Sequence, residues 1–148
     1  MLKAKDNFSY TTLEVILIII LIAVWLGVVL PRFGAGDLLN KSRLRTTVFI
    51  LGSDMRSARN TAITKSVTYT VQFNYSNKEY QIIEPGGGVV ETKEVPAQVA
   101  WTGVGQLGFN YLGSATFSGS RVWTLSSGGD QYTITVFSPT GTARIQKQ

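Results

Sequence analysis

Sixteen consecutive residues, Val15 to Leu30 (VILIIILIAVWLGVVL), carry no polar side chain. A helix that is apolar on every face cannot lie at a water-facing surface, so this run calls for hydrophobic surroundings on all sides. Crossing roughly 30 Å of hydrocarbon takes about 20 helical residues, and Thr11 to Glu14 supply the missing length at the cost of one carboxylate. The alternative is a secretory signal peptide, whose apolar region is normally about 7–15 residues long and leads into a small-residue cleavage site. Here a mixed polar stretch with an acid precedes the run, and the only small-residue exit, Gly34-Ala35-Gly36, lies beyond Pro31-Arg32. The run is read as a membrane anchor, with Trp25 packed against neighbouring anchors or lipid.

The rest of a 148-residue chain is one domain's worth of sequence. It contains no cysteine and no histidine, which removes disulfide scaffolds, Cys/His zinc sites and any nucleophile–histidine relay. The expectation is a protein that is not an enzyme and takes no cofactor or metal. The net charge of +5 is local: residues 1–65 hold nine Lys/Arg against four acids, and residues 66–148 hold five of each sign. A diffuse attraction of the C-terminal part to phosphate is therefore unsupported. Lys3 and Lys5 favour a cytoplasmic N-terminus, whereas Arg32, Lys41, Arg43 and Arg45 on the far side count against it.

Pro31 ends or kinks the first helix, and Gly34 and Gly36 loosen the turn after it. Leu44, Val48, Leu51, Met55, Ala58 and Ala62 then recur at helical spacing, a narrow stripe with Arg43, Arg45, Asp54, Arg56 and Arg59 mostly on the other faces. The stripe is too short for a self-standing coiled coil and ends in alanines, so the helix is expected to lie on a sheet. Val67, Tyr69, Val71 and Phe73 alternate with polar residues as a half-buried strand, and Glu79–Ile83 returns after a turn at Asn74–Lys78. Pro85-Gly86-Gly87-Gly88 lacks the Lys and helix start of a phosphate cradle and reads as a turn. Leu107–Tyr111, Arg121–Leu125, Gln131–Phe137 and Ala143–Ile145 complete the strands. The fold class is α+β: a long N-terminal helix packed on a mostly antiparallel β head.

Ser9-Tyr10-Thr11-Thr12-Leu13-Glu14, followed by the apolar run and Pro31, resembles the prepilin signature of type IV pilins and type II secretion pseudopilins, with Ser9 where Gly is usual and Tyr10 where Phe is usual. LGSDMRSARNTAITKSVTYTVQF and FNYLGSATFSGSRVWTLSSGGDQYTITVFSPTGTARI resemble the GspH/FimT branch of minor pseudopilins, and together the likeness covers nearly the whole chain. The resemblance implies a leader at 1–9, a transmembrane and assembly half of the helix at 10–31, an amphipathic half at 32–65 and a periplasmic head at 66–148. It implies cleavage between Ser9 and Tyr10 by the prepilin peptidase, N-methylation of Tyr10, and assembly roles for Glu14 and Pro31. A carboxylate costs about 2.5–3.5 kcal/mol at the centre of a membrane helix and normally has a partner; the Tyr10 amine of a neighbouring subunit would neutralise Glu14. The implied topology, N-terminus cytoplasmic and head periplasmic in the bacterial inner membrane, resolves the conflict in the charge count.

The function this implies is a minor pseudopilin acting by assembly near the tip of a type II secretion pseudopilus. Its partners would be other pseudopilins or pilins through the N-terminal helix, and secreted cargo or the secretin through the head. The alternative is a FimT-like type IV minor pilin in pilus initiation or DNA uptake, where Arg144 and Lys147 would contact nucleic acid. In that branch the resemblance implies a Gly-Arg-x-Arg tail, but Thr142 replaces the first arginine. An edge strand with exposed cations accounts for the same two residues; a third reading of the whole chain is a membrane-anchored periplasmic β domain with no filament role. Glu84, Glu91, Glu94 and Asp130 are read as solvated loop charges, lacking the spacing of a calcium loop. Trp101, Trp123, Phe109, Tyr111 and Phe117 are read as core.

Overall fold

The computed structural model describes residues 11–29, 35–117 and 119–148. They fall into two compact units divided at Gly36/Asp37. The first holds helix α1 (Thr12–Val29). Its N-terminus is capped by Thr11: the Glu14 N–H donates to the Thr11 carbonyl at 2.9 Å and to its hydroxyl at 3.4 Å, and Glu14 lies where it opposes the helix's positive end. Every described large apolar side chain of α1 is exposed. Among the described residues no helix is long and apolar enough to cross a membrane. The 18 residues of α1 rise about 27 Å at 1.5 Å each, and the residues flanking them lie outside the described set.

The second unit is built on α2 (Ala35–Lys65), 31 residues long. The whole stripe from Leu44 to Ala62 is buried, Leu44, Val48, Leu51 and Met55 completely, each worth about 1.5–3 kcal/mol of burial. The helix ends in a paired cap: Val67 N–H donates to the Ala62 carbonyl and Ser66 N–H to the Ile63 carbonyl. Ser66 adopts the left-handed conformation this cap requires, with φ 56°. Val67, expected to open the first strand, is instead the residue that closes the helix, and the strand begins two residues later.

The strands are β1 (Tyr69–Asn74), β2 (Glu79–Ile83), β3 (Val89–Glu94), β4 (Ala100–Thr102), β5 (Gln106–Phe109), β6 (Ser120–Ser127), β7 (Asp130–Phe137) and β8 (Thr142–Lys147). They form two four-stranded sheets, ordered β3-β2-β1-β5 and β4-β6-β7-β8, with every pairing antiparallel. An aromatic cluster joins them: Phe73 of the first sheet meets Trp123 of the second at 5.2 Å and Trp101 at 5.9 Å between ring centres. Tyr75 and Trp123 both donate to the Val104 carbonyl, at 2.9 and 3.0 Å, fixing the loop before β5 beneath the rings. Trp101, Trp123 and Phe109 are buried, and Phe117 packs partly against the core. Tyr111 departs from the expectation: it is 57% exposed, because it sits in a turn that Asn110 holds by accepting from the Leu112 and Ser114 N–H groups at 3.0 and 2.9 Å.

Candidate assembly surfaces

The α1 surface is the most apolar of the described residues. Side chains repeat around all faces of the helix, so no stripe can turn inward and leave a polar side to water. Leu21, Ile22, Trp25 and Leu26 border a shallow depression of about 180 Å³ on it. Glu14 lies in the first turn, on the same helix as this surface. The expected processing residues Ser9 and Tyr10, and Pro31, lie outside the described residues.

Within the second unit, α2 is pinned to the strands by polar contacts that the stripe did not reveal. Asp54, expected on an outer face, is buried. It accepts hydrogen bonds from the Tyr80 hydroxyl of β2 and from Lys93 Nζ of β3, the latter at 2.9 Å, while Lys93 also meets Glu91 at 3.2 Å. Burial first, and then the Asp54 carboxylate, hold the Tyr80 hydroxyl well above its usual range. The hydrogen bond to Asp54 raises Lys93 as well, against a smaller desolvation effect. Both groups keep their protons at neutral pH, so the cluster offers no free base or nucleophile and acts as a clamp. A second pin is Arg59, whose Nε donates to the Gly113 carbonyl at 2.9 Å. A third is steric: Gly52 leaves room for Ile145 of β8, which a Cβ there would meet at 2.7 Å.

Beside the clamp a groove of about 440 Å³ opens between α2 and the end of β3, lined by Arg43, Thr46, Ile50, Lys93, Glu94 and Pro96 among others. Glu91 and Glu94, expected in loops, lie on β3, and Asp130 begins β7. The reason is that short polar strands carry no hydrophobic alternation to announce them. Asp130 accepts from Lys147 Nζ at 3.1 Å. Arg144 and Lys147 both lie on β8, at the edge of the second sheet, and both are exposed. Among the described residues no group of three or more acids is placed to hold a metal ion.

Comparison with known proteins gives a fold and no closer kin. No family model matches the chain, and no curated protein matches it by sequence. Among solved structures, it is similar to the minor pseudopilin EpsH from the Type 2 Secretion System of Vibrio cholerae, with 11% identity and a TM-score of 0.62 over 71% of this chain and 97% of that one. It is similar also to the type IV minor pilin FimU of Pseudomonas aeruginosa, with 15% identity and a TM-score of 0.60 over 73% of this chain and 90% of that one. A second crystal form of FimU gives 14% identity and a TM-score of 0.58. The architecture, a helix packed on open antiparallel sheets, is the one those two proteins share.

Proposed function

We propose that this pilin-fold chain is a minor filament subunit, anchored in the bacterial inner membrane with its N-terminus cytoplasmic and its head periplasmic, and inserted near the tip of a type II secretion pseudopilus. The observation that carries the reading is the pairing of two features in one chain. A helix apolar on every face, opened by a carboxylate, precedes a head whose own core is complete. Such a helix is stable only in lipid or against other helices like it, which is what a subunit that moves from membrane to filament needs. The chain works by binding, not by catalysis. Removal of residues 1–9 by the prepilin peptidase would leave Tyr10 as a methylated N-terminus, four residues before Glu14, and the two charges would neutralise each other between neighbouring subunits.

The test is the intact mass and first residue of the protein recovered from host membranes. A chain beginning at methylated Tyr10 is expected. One beginning at Met1 would leave an anchored periplasmic domain as the better reading, and one beginning near Asp37 would mean that the apolar run is a signal peptide. Glu14→Gln is expected to insert normally and to lose most filament incorporation, measured by co-purification with the other filament subunits; incorporation at the wild-type level would end the pairing role.

A type IV minor pilin is the second reading, favoured by the near-equal likeness to FimU. Its DNA-uptake form would rest on Arg144 and Lys147. Lys147 is engaged with Asp130, and one or two phosphate contacts give weak, steeply salt-dependent binding. A gel shift of the purified protein with duplex DNA at low salt, lost in Arg144→Ala, would favour that form, and no shift would remove it.

A further inference from the structure

The edge of the first sheet carries a self-complementary pattern. The Val95 N–H donates to the Lys78 carbonyl, one step beyond the β2–β3 register in which Tyr80 faces Lys93 and Ile82 faces Glu91. Antiparallel pairs alternate between bonded and non-bonded. Glu91, Lys93 and Val95 therefore turn their backbone groups toward β2, and Thr92 and Glu94 turn theirs away from the sheet. β3 is the end strand of its sheet, and Val89, Val90, Glu91, Thr92 and Glu94 are all exposed. The opposite end of the sheet differs: there β5 is capped by the bridge from Phe109 to Ala115 and by Thr116 donating to Gly108.

We propose that β3 is a pairing edge for β3 of a second copy of this chain, antiparallel about a two-fold axis at Thr92. The charges select that register. With Thr92 on the axis, Thr92 faces itself as a bonded pair, and Glu91 faces the second copy's Lys93 twice over, in the closer non-bonded positions. A two-fold at Glu91 or at Lys93 would put like charges face to face, and one between residues would set outward groups against inward ones. The intrachain contact of Lys93 with Glu91 at 3.2 Å already places these side chains on one face, so dimerisation exchanges this partner for its equivalent across the axis. The irregularity at Ile82/Ile83 bends the strand beyond Val90 and limits the matched stretch to Val90–Glu94. The contact is therefore small and exchangeable. β8, also an end strand, carries only the cations Arg144 and Lys147, so self-pairing there would gather like charge.

The chain has no cysteine, which makes a single introduced thiol an unambiguous reporter. The full chain in detergent micelles is oxidised with and without the substitution Thr92→Cys. On the axis the two Cα atoms stand about 5.5 Å apart, within disulfide reach, whereas residues at position 90 stand about 14 Å apart. Thr92→Cys is expected to give mostly covalent dimer, Val90→Cys at least fivefold less, and Glu91→Lys added to Thr92→Cys is expected to lower the yield at least fivefold. Thr92→Pro, which removes an outward N–H and no bond to β2, should leave the circular dichroism spectrum unchanged while the crosslink formed in a mixture of Val90→Cys chains and Glu94→Cys chains, whose thiols face each other in this register, disappears. Equal yields at positions 90 and 92, or no dimer from a folded Thr92→Cys chain, would overturn the proposal.

Discussion

Asp54 shows how much one buried acid can decide. It joins α2 to both β2 and β3 through Tyr80 and Lys93, and an amide in its place would keep one acceptor oxygen for the two donors and set an NH2 group against the other. Asp54→Asn is expected to cost about 1–3 kcal/mol, read as a lower midpoint in urea at pH 7. The pH dependence has a definite sign. Tyr80 and Lys93 are both raised above their ordinary values in the folded chain, so above about pH 10 the unfolded chain releases protons that the folded one retains. The contribution of these two groups to stability is then level below about pH 10 and falls as the pH rises further. In Asp54→Asn the Lys93 part of that fall shrinks to what Glu91 sustains, and the part of the Tyr80 shift caused by burial remains. Asp54 was not legible in the sequence, since a charge beside an apolar stripe looks solvated until its partners, 26 and 39 residues away, are known.

At the level of the element, the helix stripe was readable residue by residue because one face had to be apolar at a period of 3.6. All six of its members are buried. The strands of the core were readable for the same reason, Val71 and Phe73 alternating with exposed or half-buried neighbours. β3 and β4 were not: β3 exposes most of its side chains and β4 is three residues long, so neither bears the mark of a buried face. The helix end at Lys65 was placed correctly, but the start of β1 was placed two residues early, because Ser66 stands where a glycine would signal the cap. That substitution makes a prediction. Ser66→Gly relieves a left-handed serine, with φ 56°, at a cost of about 1–2 kcal/mol, against part of that lost to the greater freedom of the unfolded chain. The net expectation is a gain of about 0.5–1 kcal/mol by chemical denaturation; no gain would mean that the Ser66 side chain contributes something the cap geometry does not express.

For the molecule as a whole, every buried apolar side chain among the described residues lies between Leu44 and Val136. A chain reduced to Asp37–Gln148 is therefore expected to fold in water without detergent and to unfold in a single cooperative step, with far- and near-ultraviolet circular dichroism changing together. A fragment that stays soluble but gives no cooperative transition would show that α1 supplies stability the head lacks. The order of parts, an apolar helix, an amphipathic helix and antiparallel strands, was legible because each obeys its own period. The division into two sheets was not. Periodicity tells which face of a strand is buried, and it does not tell which strand lies alongside, so the aromatic junction of Phe73, Trp101 and Trp123 emerged only in three dimensions.

That junction also gives the molecule its own optics. Of its three tryptophans, Trp101 and Trp123 sit in the buried seam between the sheets, while Trp25 is 67% exposed on α1. An indole emits at shorter wavelength where water is excluded, so unfolding of the head shifts the first two toward the red, while the lipid surroundings proposed for α1 would shift the third toward the blue. A chain carrying Trp25→Phe would glow for the head alone, and the difference between the two spectra would follow α1 without any added dye.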